Sequence, residues 1–218
     1  MKHNVFLLML MILFSITGYA QKIKFGVFVD PQISWFGTES RTVKSDGAKF
    51  GLQGGLSIDK YFQDNYAINT GIGIGYQGGT LQFDEVSTIK VYNETDTLPA
   101  GTKVDYRLNY ITVPIGLKLK TNQIGYFSYY ARIGFTNQFN IKAKASSSDG
   151  TLNKDIVDKE IGLYNLAYHF GLGIEYNFSE DTALNFGVVY HNGFLDTTDN
   201  NNASVHSRVV SIRVGIIF

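Results

Sequence analysis

Four charged residues are the strongest candidates for chemistry in this chain. Arg132, Glu175 and Arg213 fall at comparable depths when residues are counted along the polar sides of alternating segments, and Lys118 belongs to the same polar face. Such a set can line a passage for anions, or it can form a buried network that fills an interior. Because buried charges must be paired or hydrogen-bonded, we favour the network. We expect Glu175 to bridge Arg132 and Arg213.

The predicted inward face carries further ionisable groups besides these four. By the same count of alternating positions they are Lys24, Lys49, Lys120, Lys142, Asp30 and Asp59, with His169 and His191 nearby.

Other signals for catalysis, metals or cofactors are weak. His206 and Ser207 have no carboxylate placed beside them, and nucleophilic catalysis needs all three groups within hydrogen-bond reach. His169 lacks a second ligand at metal spacing, and the GxGxG sequence at 71–75 precedes no helix. We therefore expect no catalytic residue, metal site or cofactor, and an enzyme acting on lipid A is the least favoured alternative.

In the segments that carry these residues, apolar and polar residues alternate with a period of two. From Tyr164 to Phe178 every even residue is large and apolar or aromatic, and no odd residue is. Such alternation indicates a β-strand with one apolar face and one polar or small face.

The same pattern recurs along the chain and predicts eight strands. One phase break, where Tyr106, Leu108 and Tyr110 are even but the apolar run from Ile111 is odd, predicts a bulge near Tyr110–Ile111. The predicted strands span about 22–34, 48–59, 65–80, 106–120, 127–143, 164–178, 182–195 and 207–218.

The connections between the predicted strands alternate in length. The long ones span about 35–47, 81–105, 144–163 and 196–206, and the others are short. An even number of strands with short turns at one end and long loops at the other is typical of a transmembrane barrel. We predict an all-β fold, an eight-stranded antiparallel up-and-down meander closed into a barrel.

Composition decides which face of the barrel meets lipid. Only 17% of the 218 residues are charged. The polar faces of the predicted strands are rich in Gly, Ala and Asn, which suit a narrow barrel interior better than a water-exposed outer surface. We therefore favour lipid outside over a secreted lipocalin-like barrel. After residue 20 no apolar run is long enough for a membrane helix, and a formal net charge of +0 gives no support for nucleic acid binding.

Residues 1–20 have the layout of a secretory signal peptide. A basic start precedes an apolar core and the small residues Gly18 and Ala20, so we expect cleavage after Ala20 and a barrel formed by 21–218. The exported chain contains no cysteine, so disulfides cannot stabilise it.

Several motifs carry a resemblance to a known family. The last strand, VVSIRVGIIF with Val214, Ile216 and Phe218 on one face, looks like the signal by which outer-membrane barrels are recognised for insertion. With GLQGGLSIDKYFQDNYAINTGIGIGYQGG, YITVPIGLKLKTN and SYYARIGF, it resembles the PorT-like small barrels of Bacteroidetes. The resemblance implies a Gram-negative outer-membrane location and no shared catalytic motif. One member of that family contributes to type IX secretion.

These observations favour a monomeric, non-enzymatic barrel with a structural or interaction role. Its expected partners are outer-membrane lipid and the barrel insertion machinery. The polar, acidic loops 81–105 and 144–163 are either solvated or bind a surface or secretion-system protein. A narrow porin-like channel for small solutes is the main alternative.

Overall fold

The computed structural model describes residues 22–91, 94–179, 181–198 and 203–218. The signal peptide predicted for residues 1–20 lies outside this part of the chain and stays a prediction. None of the described segments forms a helix long and apolar enough to cross a membrane.

Eight long strands form one closed antiparallel ring. The long strands are β1 (Ile23–Thr38), β2 (Val43–Gln63), β3 (Tyr66–Phe83), β6 (Thr102–Lys120), β7 (Phe127–Ser147), β9 (Tyr164–Asn177), β10 (Ala183–Gly193) and β11 (Val205–Ile217). Around the ring they follow in this order, and β11 pairs with β1. The predicted eight-stranded barrel is therefore confirmed.

Three short strands lie in the loops at one end of the barrel. β4 (Ser87–Val91) and β5 (Glu94–Leu98) form a hairpin between β3 and β6. β8 (Asn153–Ile156) pairs with the last residues of β7, at the loop-bearing end. The predicted loops 81–105 and 144–163 therefore contain secondary structure. The predicted loop 35–47 is instead a connection of residues 39–42, because β1 and β2 extend further than their apolar patterns.

The two faces of the strands differ as the alternation predicts. On β9, Phe170 and Leu172 are exposed, whereas His169 and Glu175 are buried. The apolar outer wall meets the requirement of a lipid-facing surface. Its exposed side chains include Ile23, Phe25, Val27, Val29, Leu56, Ile68, Ile72, Ile74, Ile115, Leu117, Ile133, Phe135, Leu172, Val188, Ile212, Val214 and Ile216.

The inner wall is tight enough at one point to exclude any side chain. Gly116 on β6 and Gly134 on β7 are paired, and a Cβ added to Gly134 would lie 2.4 Å from the Cα of Gly116. Glycine is needed there because two backbones approach closely.

The bulge predicted near Tyr110–Ile111 is present in the β6–β7 ladder at this level, but its assignment to β6 is wrong, because β6 keeps its alternation. Tyr106, Leu108 and Tyr110 are at most 2% exposed and lie on the same inward face as Lys118. The irregularity belongs to β7, where Asn109 pairs with Lys142 but Tyr110 pairs with Asn140, which leaves Ile141 as the extra residue. The sequence pattern suggests a break in β6 because the barrel interior is itself apolar at this level.

These inward residues belong to a hydrophobic core at the loop-bearing end, which we call the apolar cap. The side chains of the β4–β5 hairpin, of the β8 segment and of the upper strand ends pack together there. The cap comprises Phe36, Val43, Leu81, Phe83, Ile89, Leu98, Val104, Tyr106, Leu108, Tyr110, Ala143, Ala145, Leu152, Val157, Ile161, Ala203 and Val205. The loops are thus packed onto the barrel rather than only solvated.

Truncation of a cap residue tests this packing. Leu108→Ala should lower the free energy of unfolding by about 2–5 kcal/mol, because Leu108 is fully buried and its loss leaves a cavity. Leu117→Ala, on the outer face of the same strand, is the matched control and should cost less. Urea titration in lipid vesicles, followed by Trp35 fluorescence, measures both; equal losses would contradict an apolar cap.

Candidate functional site: a charged lumen beneath the apolar cap

Four different strands place the predicted lumen charges inside the barrel. Lys118 projects from β6, Arg132 from β7, Glu175 from β9 and Arg213 from β11, and none of the four is more than 9% exposed. Alternation along each strand turns these side chains inward while their neighbours face out.

Lys118 is the centre of one group of ion pairs. Its Nζ contacts a carboxylate oxygen of Asp59 and lies 2.5 Å from Oε1 of Glu175. Lys120 Nζ lies 2.5 Å from the other Glu175 oxygen, and Asn69 donates a hydrogen bond to Asp59. Two carboxylates and two ammonium groups therefore compensate one another in the lower part of the lumen.

Arg213 forms a separate ion pair with Asp30. Its Nε lies 3.1 Å from both Asp30 oxygens, and one Nη lies 2.6 Å from Oδ2. The guanidinium carbon also lies 4.0 Å from the ring centroid of Phe28. Multiple contacts of this kind fix an arginine in one orientation.

The predicted bridge from Glu175 to Arg132 and Arg213 is wrong. Glu175 binds the two lysines instead. Strand tilt explains the difference: in the β7–β9 ladder, Glu175 is in register with Ser128 and Arg132 with Gly171, so the two are four residues apart along the strands. Counting residues from the strand ends does not reveal this stagger.

Arg132 is the least satisfied of the lumen charges. No carboxylate in the described part of the chain forms an ion pair with it, and its buried Nε and Nη1 have no hydrogen-bond partner. Its guanidinium carbon lies 4.7 Å from the ring centroid of Tyr130. A cation over an aromatic face gains some compensation for lost water.

Tyr130 fills much of the space between these groups. Its hydroxyl lies across Gly173 and Gly187, where an added Cβ would come within 2.3 Å and 2.4 Å of it, and it donates a hydrogen bond to Asn185 at 2.9 Å. The glycines that the sequence places on the inward face thus accommodate a tyrosine from another strand.

Two predicted lumen lysines lie outside instead. Lys142 is exposed, and Lys49 forms an ion pair at 2.7 Å with Asp105, an exposed residue of β6. Bulges cause both errors, because an extra residue inverts the side-chain alternation. One bulge is at Ile141 on β7, and the other is on β2 between Ala48 and Leu52.

The three histidines of the described residues contact hydroxyl, carbonyl or imidazole groups. The rings of His169 and His191 lie 5.7 Å apart, and His169 shares a hydrogen bond with the Thr136 hydroxyl. His206 contacts Ser204 and the backbone oxygen of Leu195 rather than a carboxylate. Across the described ranges no three His, Cys, Asp or Glu side chains cluster as metal ligands do.

Comparison with known proteins gives the class of this barrel. Residues 17–198 match the model of the outer membrane protein beta-barrel domain family. The chain belongs to this family, which places the protein in the outer membrane. A search of curated proteins finds no match.

Solved structures of bacterial barrels are similar to the chain at low identity. Neisserial surface protein A is 12% identical, with 88% of this chain and 95% of that chain covered and a TM-score of 0.49. OprG from Pseudomonas aeruginosa is 15% identical, with 90% and 94% covered and a TM-score of 0.43. The protease OmpT from Escherichia coli is 9% identical, with 93% and 99% covered and a TM-score of 0.47.

Removing the charge that Glu175 supplies tests the ion-pair group. Glu175→Gln should lower the free energy of unfolding by about 3–5 kcal/mol, because Lys120 then loses its carboxylate and Lys118 loses one of two. Asp181→Asn, which breaks the exposed pair with Lys22, is the control and should leave stability unchanged. Urea titration in vesicles measures both, and an unaffected Glu175→Gln protein would show that the pairs do not stabilise the barrel.

Proposed function

We propose that this protein is a non-enzymatic, closed outer-membrane barrel with a structural or interaction role, exerted by its loop-bearing end. The observation that carries the proposal is the filled lumen. Ion-paired side chains occupy the lower part, Tyr130 and polar side chains the middle, and the apolar cap the upper part.

The side chains packed inside the lumen argue against steady solute flow through the barrel. Lys118 and Glu175 are at most 1% exposed, and the cap above them is packed from several strands and loops. A solute would have to separate buried ion pairs and an apolar core at successive depths, and each separation exposes uncompensated charge or opens a cavity.

The loops favour an interaction role. Ile89 and Leu98 anchor the β4–β5 hairpin in the cap, whereas Thr88, Thr95 and Thr97 on the same hairpin are exposed. A loop held in one conformation binds a partner at a lower entropic cost than a mobile loop. We propose that loops 81–105 and 144–163 contact a surface or secretion-system protein.

The finer assignment rests on the sequence resemblance. We propose that the barrel is PorT-like and acts as a monomer, and that its partner belongs to type IX secretion. Val214 and Ile216 on β11 and Phe218 directly after it are 42–54% exposed, where the insertion machinery can contact them. We propose that they form the insertion signal.

A narrow channel for anions is the second candidate. Inside the described barrel Lys24, Lys118, Lys120, Arg132 and Arg213 face three acids, Asp30, Asp59 and Glu175. The excess of cations and the unpaired Arg132 favour anions over cations in any solute that enters. No comparable observation favours a lipid A-modifying enzyme.

Conductance distinguishes the closed barrel from the channel. The purified protein in planar lipid bilayers should give no steady ion conductance, because ion pairs and the apolar cap fill successive levels of the lumen. A general porin in the same bilayers is the positive control. Steady, chloride-selective current from the folded protein would contradict the closed barrel and establish the channel.

Substitution of the hairpin surface tests the interaction role. The triple variant T88D/T95D/T97D leaves Ile89 and Leu98 in the cap, so it should insert and fold normally. It should lose its cross-linked protein partner in cells, whereas T121D, at the short-turn end, should keep it. A partner that remains bound to the triple variant would exclude this hairpin as the contact.

A further inference from the structure

A basic groove lies on the outer wall of the barrel, just above the apolar band. It has a volume of about 600 Å³ and is lined by side chains of β2, β3, β6, β7 and β8. Five cations and one acid contribute to it: Lys49, Arg107, Lys142, Lys144, Lys154 and Asp105.

The strand register places this groove at the edge of the membrane. Tyr76 pairs with Asn109, and Asn109 pairs with Lys142, which defines one rung across the outer wall. The outward residues just below this rung include Ile74 and Ile141, which are 59% and 49% exposed. The groove therefore opens directly onto the surface that lipid chains cover.

Three lysines of the groove lack acidic partners among the described residues. Lys49 pairs with Asp105, but Lys142, Lys144 and Lys154 form no ion pair with any carboxylate in the described ranges. The nearby carboxylates of Asp155 and Asp158 accept hydrogen bonds from backbone N–H groups.

Two other lysines at the same end of the barrel are paired. Lys44 contacts Asp84, and Lys103 lies 2.7 Å from Asp46. Lys142, Lys144 and Lys154 differ from these two lysines because no carboxylate of the described residues pairs with them.

The backbone is shaped to bring these cations together. The bulge at Ile141 turns Lys142 outward, and the bulge on β2 directs Lys49 over the outer wall. Lys154 has a φ of 60°, the one positive value at a non-glycine residue in the described chain. Side-chain-bearing residues adopt this conformation at an energetic cost that often accompanies a functional site.

Aromatic contacts hold one cation in position. The Arg107 guanidinium carbon lies 4.1 Å from the ring centroid of Tyr76. Stacking restricts the guanidinium plane and leaves its N–H groups free for an anion, and arginine binds phosphate oxygens in pairs.

We propose that this groove binds the phosphate groups of a phosphorylated membrane lipid in the leaflet at the loop-bearing end. Phosphate oxygens would meet Arg107 and the three unpaired lysines, and the acyl chains would lie on the apolar band below. Continuity with that band distinguishes a lipid headgroup from a soluble anion, which would gain nothing from Ile74 or Ile141. The site lies outside the lumen and does not depend on whether the lumen is closed.

Lipid binding by the purified protein tests the proposal. Native mass spectrometry in detergent would compare diphosphorylated lipid A with the same lipid lacking both phosphates. The protein should bind the phosphorylated form at least about tenfold more tightly, since each cation near an anionic lipid surface adds to the attraction. The variant K142Q/K144Q/K154Q should lose this preference, and K142R/K144R/K154R should keep it.

Matched controls make each outcome decisive. The variant K22Q/K60Q/K159Q removes the same charge at exposed sites elsewhere and should bind like the unmodified protein. Unchanged binding by K142Q/K144Q/K154Q, with native β-structure by circular dichroism, would overturn the proposal. Equal binding of inorganic phosphate or of a phosphorylated sugar without acyl chains would assign the groove to a free anion and overturn the lipid assignment.

Discussion

Closure of β1 against β11 is the constraint on which the rest of the structure depends. The two strands pair from Gly26 with Ile217 to Thr38 with Val205, and this ladder completes the ring. Lipid offers no hydrogen bonds to a strand edge, so a sheet can cross a membrane only when its edges meet. Closure with eight strands leaves an interior of side-chain width, and this small diameter forces the inward charges into contact with one another.

The contacts inside this narrow ring are compensatory. Lys118 lies against both Asp59 and Glu175, and Arg213 against Asp30, because there is little water to solvate a single charge. Above them the strands extend past the apolar band and enclose the cap. Charged and polar side chains therefore fill the lower levels of the lumen, and apolar side chains fill the upper level. Contacts with the apolar cap hold the loops above it in place.

Much of this architecture can be predicted from the sequence. Strict alternation over segments such as Tyr164–Phe178 defines the strands and their outward faces, since the period of two survives twist and tilt. The errors have physical causes. Bulges at Ile141 and on β2 invert the alternation, so Lys142 and Lys49 appear inward. The stagger between β7 and β9 separates Glu175 from Arg132, and the cap makes Tyr106 and Leu108 look lipid-facing.

The central claim, that protein side chains fill the lumen, is tested most directly by one buried serine. Ser211 is 2% exposed on the inward face of β11, and the chain has no cysteine, so Ser211→Cys introduces a single thiol of nearly the same size. The rate at which a small water-soluble maleimide labels this thiol in vesicles would be compared with the rate at an exposed loop position, Ser148→Cys. A filled lumen predicts no labelling of Ser211→Cys in the folded protein; labelling as fast as at Ser148→Cys would contradict it.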